Sequence, residues 1–481
     1  MGEREAAARS AAFLEGRLGP ELVCGALEKT FKRQSEISEE AARVRVELAN
    51  EDLEADQRKR LRLDEENLRR RADDERDVEA ALRGALLGFR SDDALEYLAS
   101  TVLRSSSGPE TRSAAAEALG QAAKSSPEIL KGLRSAARDS KPMVREAALA
   151  ALARLLARGA ETAAELGKSL EDARWTVRLA AARRLADLAL PESVDLLLAR
   201  LAKEQGRVRR EFADLLAALT GQGFGLEPEG WNHWWKENRA AYASGERALA
   251  IPAEAAAPEA RPGDRGAHFY GIEIESQRIM FVIDISGSME EPGSGPGLTK
   301  EQEAKKELVR CVKSLGREDA FGVFAYSDTV QKWTPAGGIK EEKGERAAAG
   351  RTMIFEASDE TKARALQWIE KLDAAAWTNT YAALEEALRV SVADPRNDMG
   401  KEYGLFPDTI FLLTDGAPTG PTGKTRGDAG EPEWQRVLQG VRGWNRGKRV
   451  VINAIGIGPT INAEFLTTLA RENGGKFVHV K

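Results

Sequence analysis

Scarcity sets the first limits on this chain of 481 residues. It has two cysteines, Cys24 and Cys311, too few and too far apart for a disulfide framework or a cysteine-rich zinc site. Cys311 falls in the helical pattern ELVRCVKSL, where a buried free thiol is expected. Histidine is as scarce. His233, His268 and His479 are widely separated and none forms H-E-x-x-H, so hydrolase and zinc chemistry are poorly supplied. A basic excess is missing too: 71 Lys and Arg face 77 Asp and Glu, net −6, which leaves no footprint for nucleic acid. No apolar run approaches the ~20 residues that cross a bilayer, so no membrane span is expected. The opening MGEREAAARS lacks the apolar core of a secretory signal, and nothing in the cysteine usage asks for an oxidising compartment. A cytoplasmic protein is expected.

What is present is ordinary in bulk, 42% hydrophobic and 31% charged, but too long for one core, so two or three domains are expected. Residues 1–84 read as a charged arm. Its stretch ELANEDLEADQRKRLRLDEENLRRRADDERD is dense in both signs, and Leu53, Leu61 and Leu68 do not keep a clean heptad. A long solvated helix or a weak coiled coil fits this pattern, with disorder as the alternative.

From about 85 to 222 a unit repeats. TRSAAAEALGQA starts at Thr111, VREAALAALARL at Val144, VRLAAARRLADL at Val177 and VRREFADLLAAL at Val208, spacings of 33, 33 and 31. Each second position is arginine (Arg112, Arg145, Arg178, Arg209), and eight residues after each start comes leucine (Leu119, Leu152, Leu185, Leu216). An amphipathic stretch such as PEILKGLRSAARD precedes each copy, so the unit is a helix pair. One pair cannot bury its apolar face but a stack can, which implies an α-solenoid. The pattern resembles HEAT repeats. Trp231, Trp234 and Trp235 follow on one helix face and suit a hydrophobic cap on the last repeat, closing a solenoid over 85–247. The Pro/Ala-rich 248–267 has no apolar period and reads as a linker.

After the linker, over 268–481, apolar strands alternate with amphipathic helices. IMFVIDIS, DAFGVFAYSDTV, TIFLLTDGAP and VVINAIGIG are the strands, which implies a doubly wound, mostly parallel α/β sheet covered on both faces. Ligands of such sheets bind at the carboxyl ends of the strands, near the point where strand order reverses. Asp284 and Asp415 both fall at such ends. PTGPTGKT (418–425) lacks the first glycine of a phosphate loop and lies past its strand, and neither Ser286 nor Ser288 sits in G-x-S-x-G. Asp, Ser and Thr oxygens without His or Cys instead suit a hard cation, magnesium first, with manganese or calcium as alternatives. FVIDISGSM brings Asp284, Ser286 and Ser288. WTNTYAALEEAL brings Thr378 and Thr380, and FLLTDG brings Asp415.

In that order these three elements resemble the von Willebrand factor type A domain and its metal-ion-dependent adhesion site. The resemblance covers about 270–481 and implies Ser286, Ser288 and Thr378 as hydroxyl ligands, with Asp284 and Asp415 acting directly or through water. The choice of Thr378 over Thr380 rests on the family pattern alone. Many relatives carry Gly-Gly where this chain has Ala376-Trp377. The resemblance implies a non-enzymatic, metal-dependent protein binder, an adaptor or scaffold whose ion takes an Asp or Glu carboxylate from a partner. The alternative is a regulatory subunit of a separate, chelatase-like ATPase complex, since this chain carries no ATPase motif.

Overall fold

The computed structural model describes residues 16–48, 53–104, 106–251, 267–294, 297–335, 353–374, 377–391, 406–420, 423–426, 432–446 and 449–481. Residues 1–15 and 49–52 of the charged arm, most of the Pro/Ala stretch (252–266) and Ala376 lie outside them. The chain divides into two compact units, residues 1–36 with 74–261 and residues 37–73 with 262–481.

The charged stretch forms two helices, α1 (Leu18–Leu48) and α2 (Ala55–Gly88). Many of its charges are buried rather than solvated. Glu65, Glu66, Arg69, Glu75 and Glu79 are all under a tenth exposed. Glu79 takes Arg83 one turn on, but Glu79 also takes Gln34, and Arg69 takes Glu433, on distant segments that no reading of local charge spacing reveals. Arg45 on α1 donates to Glu65 on α2 at 2.7 Å, and Leu68 packs with Ile37 and Ala41.

In the first unit, helices α3 (Asp92–Ser100), α4 (Pro109–Ala122), α5 (Pro127–Ala136), α6 (Pro142–Leu155), α7 (Ala160–Gly167), α8 (Trp175–Leu188), α9 (Pro191–Leu201), α10 (Gly206–Thr220) and α11 (Pro228–Ala243) follow one another. Five of these begin on proline, whose missing N–H is no loss in a first turn. The repeat register is the core register: Thr111, Val144, Val177 and Val208 are buried, as are Leu119, Leu152, Leu185 and Leu216. Small residues bring helices close. A Cβ on Gly120 would lie 2.9 Å from the Ala151 backbone, and one on Gly132 would lie 2.5 Å from the Ala99 carbonyl.

The recurring arginine is a rung. Arg112 donates twice to Asp139 (2.9 and 3.0 Å), Arg145 twice to Asp172 (2.8 Å each) and Arg178 twice to Glu204 (2.6 and 2.8 Å). Each guanidinium also donates to a backbone carbonyl ahead of its own helix, as Arg145 does to Asp139 O at 2.7 Å. The fourth copy departs: Arg209 donates to Leu226 O at 3.1 Å, in the turn before α11. On α11, Trp231 is buried and its indole N–H donates to Gly225 O, while Trp235 donates to Asp195 on α9 at 2.7 Å.

The second unit is built on one mixed sheet. A small antiparallel pair, β1 (His268–Phe269) and β2 (Ile272–Glu273), precedes it. Then come β3 (Arg278–Asp284), α12 (Lys300–Ser314), β4 (Ala320–Tyr326), β5 (Val330–Lys332), β6 (Phe355–Glu356), α13 (Asp359–Glu370), α14 (Thr380–Arg389), β7 (Thr409–Thr414), α15 (Glu433–Trp444), β8 (Val451–Ile457), α16 (Ala463–Glu472) and β9 (Phe477–Val480). Strand order is β5-β4-β3-β7-β8-β9, with β6 also pairing β4. The pairs β3–β4, β3–β7, β7–β8 and β8–β9 are parallel, while β5 and β6 run antiparallel to β4. Successive residues of a strand face opposite sides. Phe281 and Ile283 therefore enter one core with Leu308 of α12, while Met280 and Val282 enter the other with Leu384 of α14 and Phe465 of α16. Strand order reverses between β3 and β7, whose carboxyl ends lie side by side.

Residues 37–73 belong to this unit and meet α14 and α15 through charge. Arg45 pairs with Glu385 at 2.6 Å, Arg436 donates to Asp73 at 2.9 Å, and the Arg69 guanidinium lies 3.9 Å from the centre of the Tyr381 ring.

Candidate metal site

Asp284 closes β3 and Asp415 follows the last residue of β7, so register alone makes them neighbours at the reversal point. Both are fully buried. After Asp284 the chain leaves the sheet as a short turn, Gly287–Glu290, that folds Ser286 and Ser288 back over the strand ends. The Asp284 carboxylate accepts from Ser286 N at 2.8 Å and from Thr414 Oγ1 at 2.6 Å. Ser286 Oγ and Ser288 Oγ are 3.2 Å apart, and Ser288 Oγ donates to Asp415 Oδ1 at 2.8 Å. Four of the five residues expected from the sequence thus share one hydrogen-bonded cluster.

Thr378 stands at the same edge, in the turn before α14. Its N–H donates to Thr419 Oγ1 at 3.0 Å and its carbonyl accepts from Thr419 N at 2.9 Å, which ties it to the segment after Asp415. Among the described residues, no hydrogen bond joins its hydroxyl to the other four. Thr380 is placed differently. It is fully buried, and its Oγ1 lies 3.5 Å from Tyr326 OH, itself 3.5 Å from Asp284 Oδ2. Asn379 between them caps α14 by accepting from Ala382 N at 3.2 Å. Trp377 is 44% exposed and lies over Gly423, where a Cβ would come within 2.8 Å of the indole.

Burial raises the Asp284 carboxyl from its ordinary 3.8 to about 6; hydrogen bonds from Thr414 and Ser286 pull it down, while the charge of Asp415 adds to the rise. Two carboxylates held this close out of water call for positive charge. Among the described residues no three or more His, Cys, Asp and Glu side chains group to hold a metal, so a cation here would depend on hydroxyls as well as on the two aspartates. The residues fit such an ion: two carboxylates and three hydroxyls, all hard oxygen, at one rim of the sheet.

Sequence reasoning missed three groups. Thr414 and Tyr326 surround Asp284 from β7 and β4. Lys300, which opens α12, is 1% exposed and its ammonium lies 2.8 Å from Asp415 Oδ2. A signal existed. Lys300 follows the capping residue Thr299, so it sits in the first turn of α12, where the helix dipole disfavours a cation.

The type A family profile matches residues 277–478, which span β3 to β9 and every member of this cluster. These residues form a von Willebrand factor type A domain. HEAT-repeat profiles match 65–153, 98–172 and 130–217, so the first unit carries HEAT repeats. Among curated proteins, the inter-alpha-trypsin inhibitor heavy chain H1 of Mesocricetus auratus is 25% identical over 44% of this chain and 19% of its own length. The human heavy chain H6 is 28% identical over 43% of this chain and 13% of its own. The chain thus spans a fifth or less of those two relatives. Among solved structures, a von Willebrand factor type A protein from Catenulispora acidiphila aligns with a TM-score of 0.31 at 20% identity, covering 42% of this chain and 38% of that one. A mussel byssus proximal thread matrix protein with a zinc-occupied MIDAS motif aligns with a TM-score of 0.27 at 20% identity, over 42% of this chain and 41% of its own.

Proposed function

We propose that the type A domain binds a divalent cation, magnesium first, through Asp284, Ser286, Ser288, Thr378 and Asp415. The ion would then receive an Asp or Glu carboxylate from a protein partner. The observation that carries this reading is the cluster Asp284–Ser286–Ser288–Asp415 at the reversal point, with hydroxyls standing between two buried aspartates. Neutral hydroxyl donors cancel none of a cation's charge, so a bound divalent ion keeps a pull on an incoming anion. The chemistry the ion supplies is that pull. The chain's residues would hold and orient the ion. We assign no turnover to the site. Its polar groups are acids, hydroxyls and the Lys300 ammonium, and no histidine hydrogen-bonds the two aspartates or the two serines among the described residues. His479 is engaged with Gly458 O at 2.8 Å.

The HEAT repeats add a second surface for protein contact, and two modules in one chain raise each other's effective concentration on a shared assembly. The proposed role is therefore an adaptor or scaffold acting in the cytoplasm. The test is capture of partners by the full chain with Mg2+, with EDTA, and with Asp284→Ala. Capture should require Mg2+ and be lost in the variant. Capture indifferent to both chelator and substitution would sink the reading.

A further inference from the structure

The group that does not belong in a plain oxygen site is Lys300. Its side chain runs beneath Gly458, whose backbone is left-handed (φ +84°) and where a Cβ would stand 2.9 Å from Lys300 Cε. His479 holds that glycine's carbonyl at 2.8 Å from the far side. The ammonium donates to Asp415 Oδ2 at 2.8 Å and to Glu291 Oε2 at 2.7 Å, and it lies 3.4 Å from Ser288 O. Asp415 is therefore divided between two duties. Oδ2 faces the lysine, and Oδ1 faces Ser288 and the cluster. Glu291 is largely in solvent, its side chain 60% exposed, so water and salt screen its charge. The lysine and the two aspartates are not so screened.

We propose that Lys300 is a positioning residue of this site, a built-in cation. It fixes the orientation of Asp415, neutralises it when no metal is bound, and weakens the hold on a divalent ion so that the loaded site stays positive toward a carboxylate. This deepens the function proposed above and rests on it. The charge count is direct. Asp284 and Asp415 contribute two negative charges and Lys300 one positive, so the buried set is −1 and a divalent ion makes it +1. Without the lysine the same ion would bring the set only to zero, and the incoming carboxylate would be drawn less strongly. A unit charge one carboxylate away from a divalent ion opposes it by about a factor of ten or more even when screened as fully as in bulk water, at a dielectric of ~80.

The experiment compares wild type and Lys300→Met, full chain, by calorimetric titration with Mn2+ alone at low salt and by thermal melting in EDTA. The variant should bind Mn2+ about tenfold tighter and melt lower in EDTA, with Mn2+ recovering it. Wild-type binding with equal or weaker affinity in the variant overturns this inference and leaves the function reading standing. No Mn2+ binding by either protein overturns both. If Lys300→Met does not fold with or without Mn2+, Glu291→Gln decides. With its outer partner gone the lysine opposes the ion more strongly, and Mn2+ affinity should fall several-fold; unchanged affinity overturns the proposal.

Discussion

Arg145→Ala takes one rung from the solenoid, and the structure sets its cost. The guanidinium makes two bonds to Asp172 at 2.8 Å and donates to Asp139 O at 2.7 Å. The two side chains are 12% and 16% exposed, so the pair lies nearer the buried limit than the surface one. An exposed pair is worth about 0.2–1 kcal/mol. Breaking a fully buried one by removing a single partner costs about 3–5 kcal/mol, because the other charge stays behind. With roughly an eighth of each side chain in water, about 2–3 kcal/mol is expected for Arg145→Ala. Asp172→Ala should cost a similar amount: Arg145 keeps its bond to Asp139 O, but the bond from the Arg174 N–H to the Asp172 carboxylate at 2.8 Å is lost as well. The double variant should recover about 1–2 kcal/mol of the summed loss. Urea unfolding followed by far-UV circular dichroism measures all four corners. A coupling below about 0.5 kcal/mol would mean that the rungs are decoration and that apolar register alone holds the repeats together.

Glu211 predicts a pH effect. Burial opposes its charge, but Arg207 and Arg183 outweigh burial and hold the carboxyl near about 2, below its ordinary 4.5. Its contribution is therefore present above pH 4.5 and lost as pH falls toward 2, so Glu211→Gln should flatten the acid limb of solenoid stability by up to about 3 kcal/mol. Gly458→Ala forces a Cβ into a left-handed position 2.9 Å from Lys300 Cε, and should lower type A domain stability by about 1–3 kcal/mol in thermal melts. Leu152→Ala opens a cavity at a 2% exposed repeat position and should cost about 2–5 kcal/mol by urea titration. A cost near zero would place that leucine outside the core.

Local pattern carried much of this molecule. The alternation of IMFVIDIS and TIFLLTDG with helices was enough for a covered parallel sheet, because each such strand is apolar on both faces. The Val-Arg and Leu register of the repeats was enough for stacked helix pairs, because one spacing recurs and each position is buried. Asp284, Ser286 and Ser288 could be grouped from one loop, since three residues two apart travel together wherever the strand ends.

Groups that meet across the chain were not legible in this way. The pairing of Arg45 with Glu385 joins residues 340 positions apart, and periodicity within a charged helix carries no trace of it. Lys300 reached Asp415 only because α12 starts beside β7, a consequence of strand order. The preference between Thr378 and Thr380 came from resemblance, and the fold separates them physically: one turns its backbone to Thr419, the other buries its hydroxyl against Tyr326. Sequence by itself determined the long apolar strands and the amphipathic helices, because those follow from side-chain period and backbone preference; the short strands β1, β2, β5 and β6 carry too few residues to show a period. Tertiary structure alone decided which charges face each other. Such pairing depends on the order in which parallel strands lie side by side, and that order is set by packing across the whole sheet.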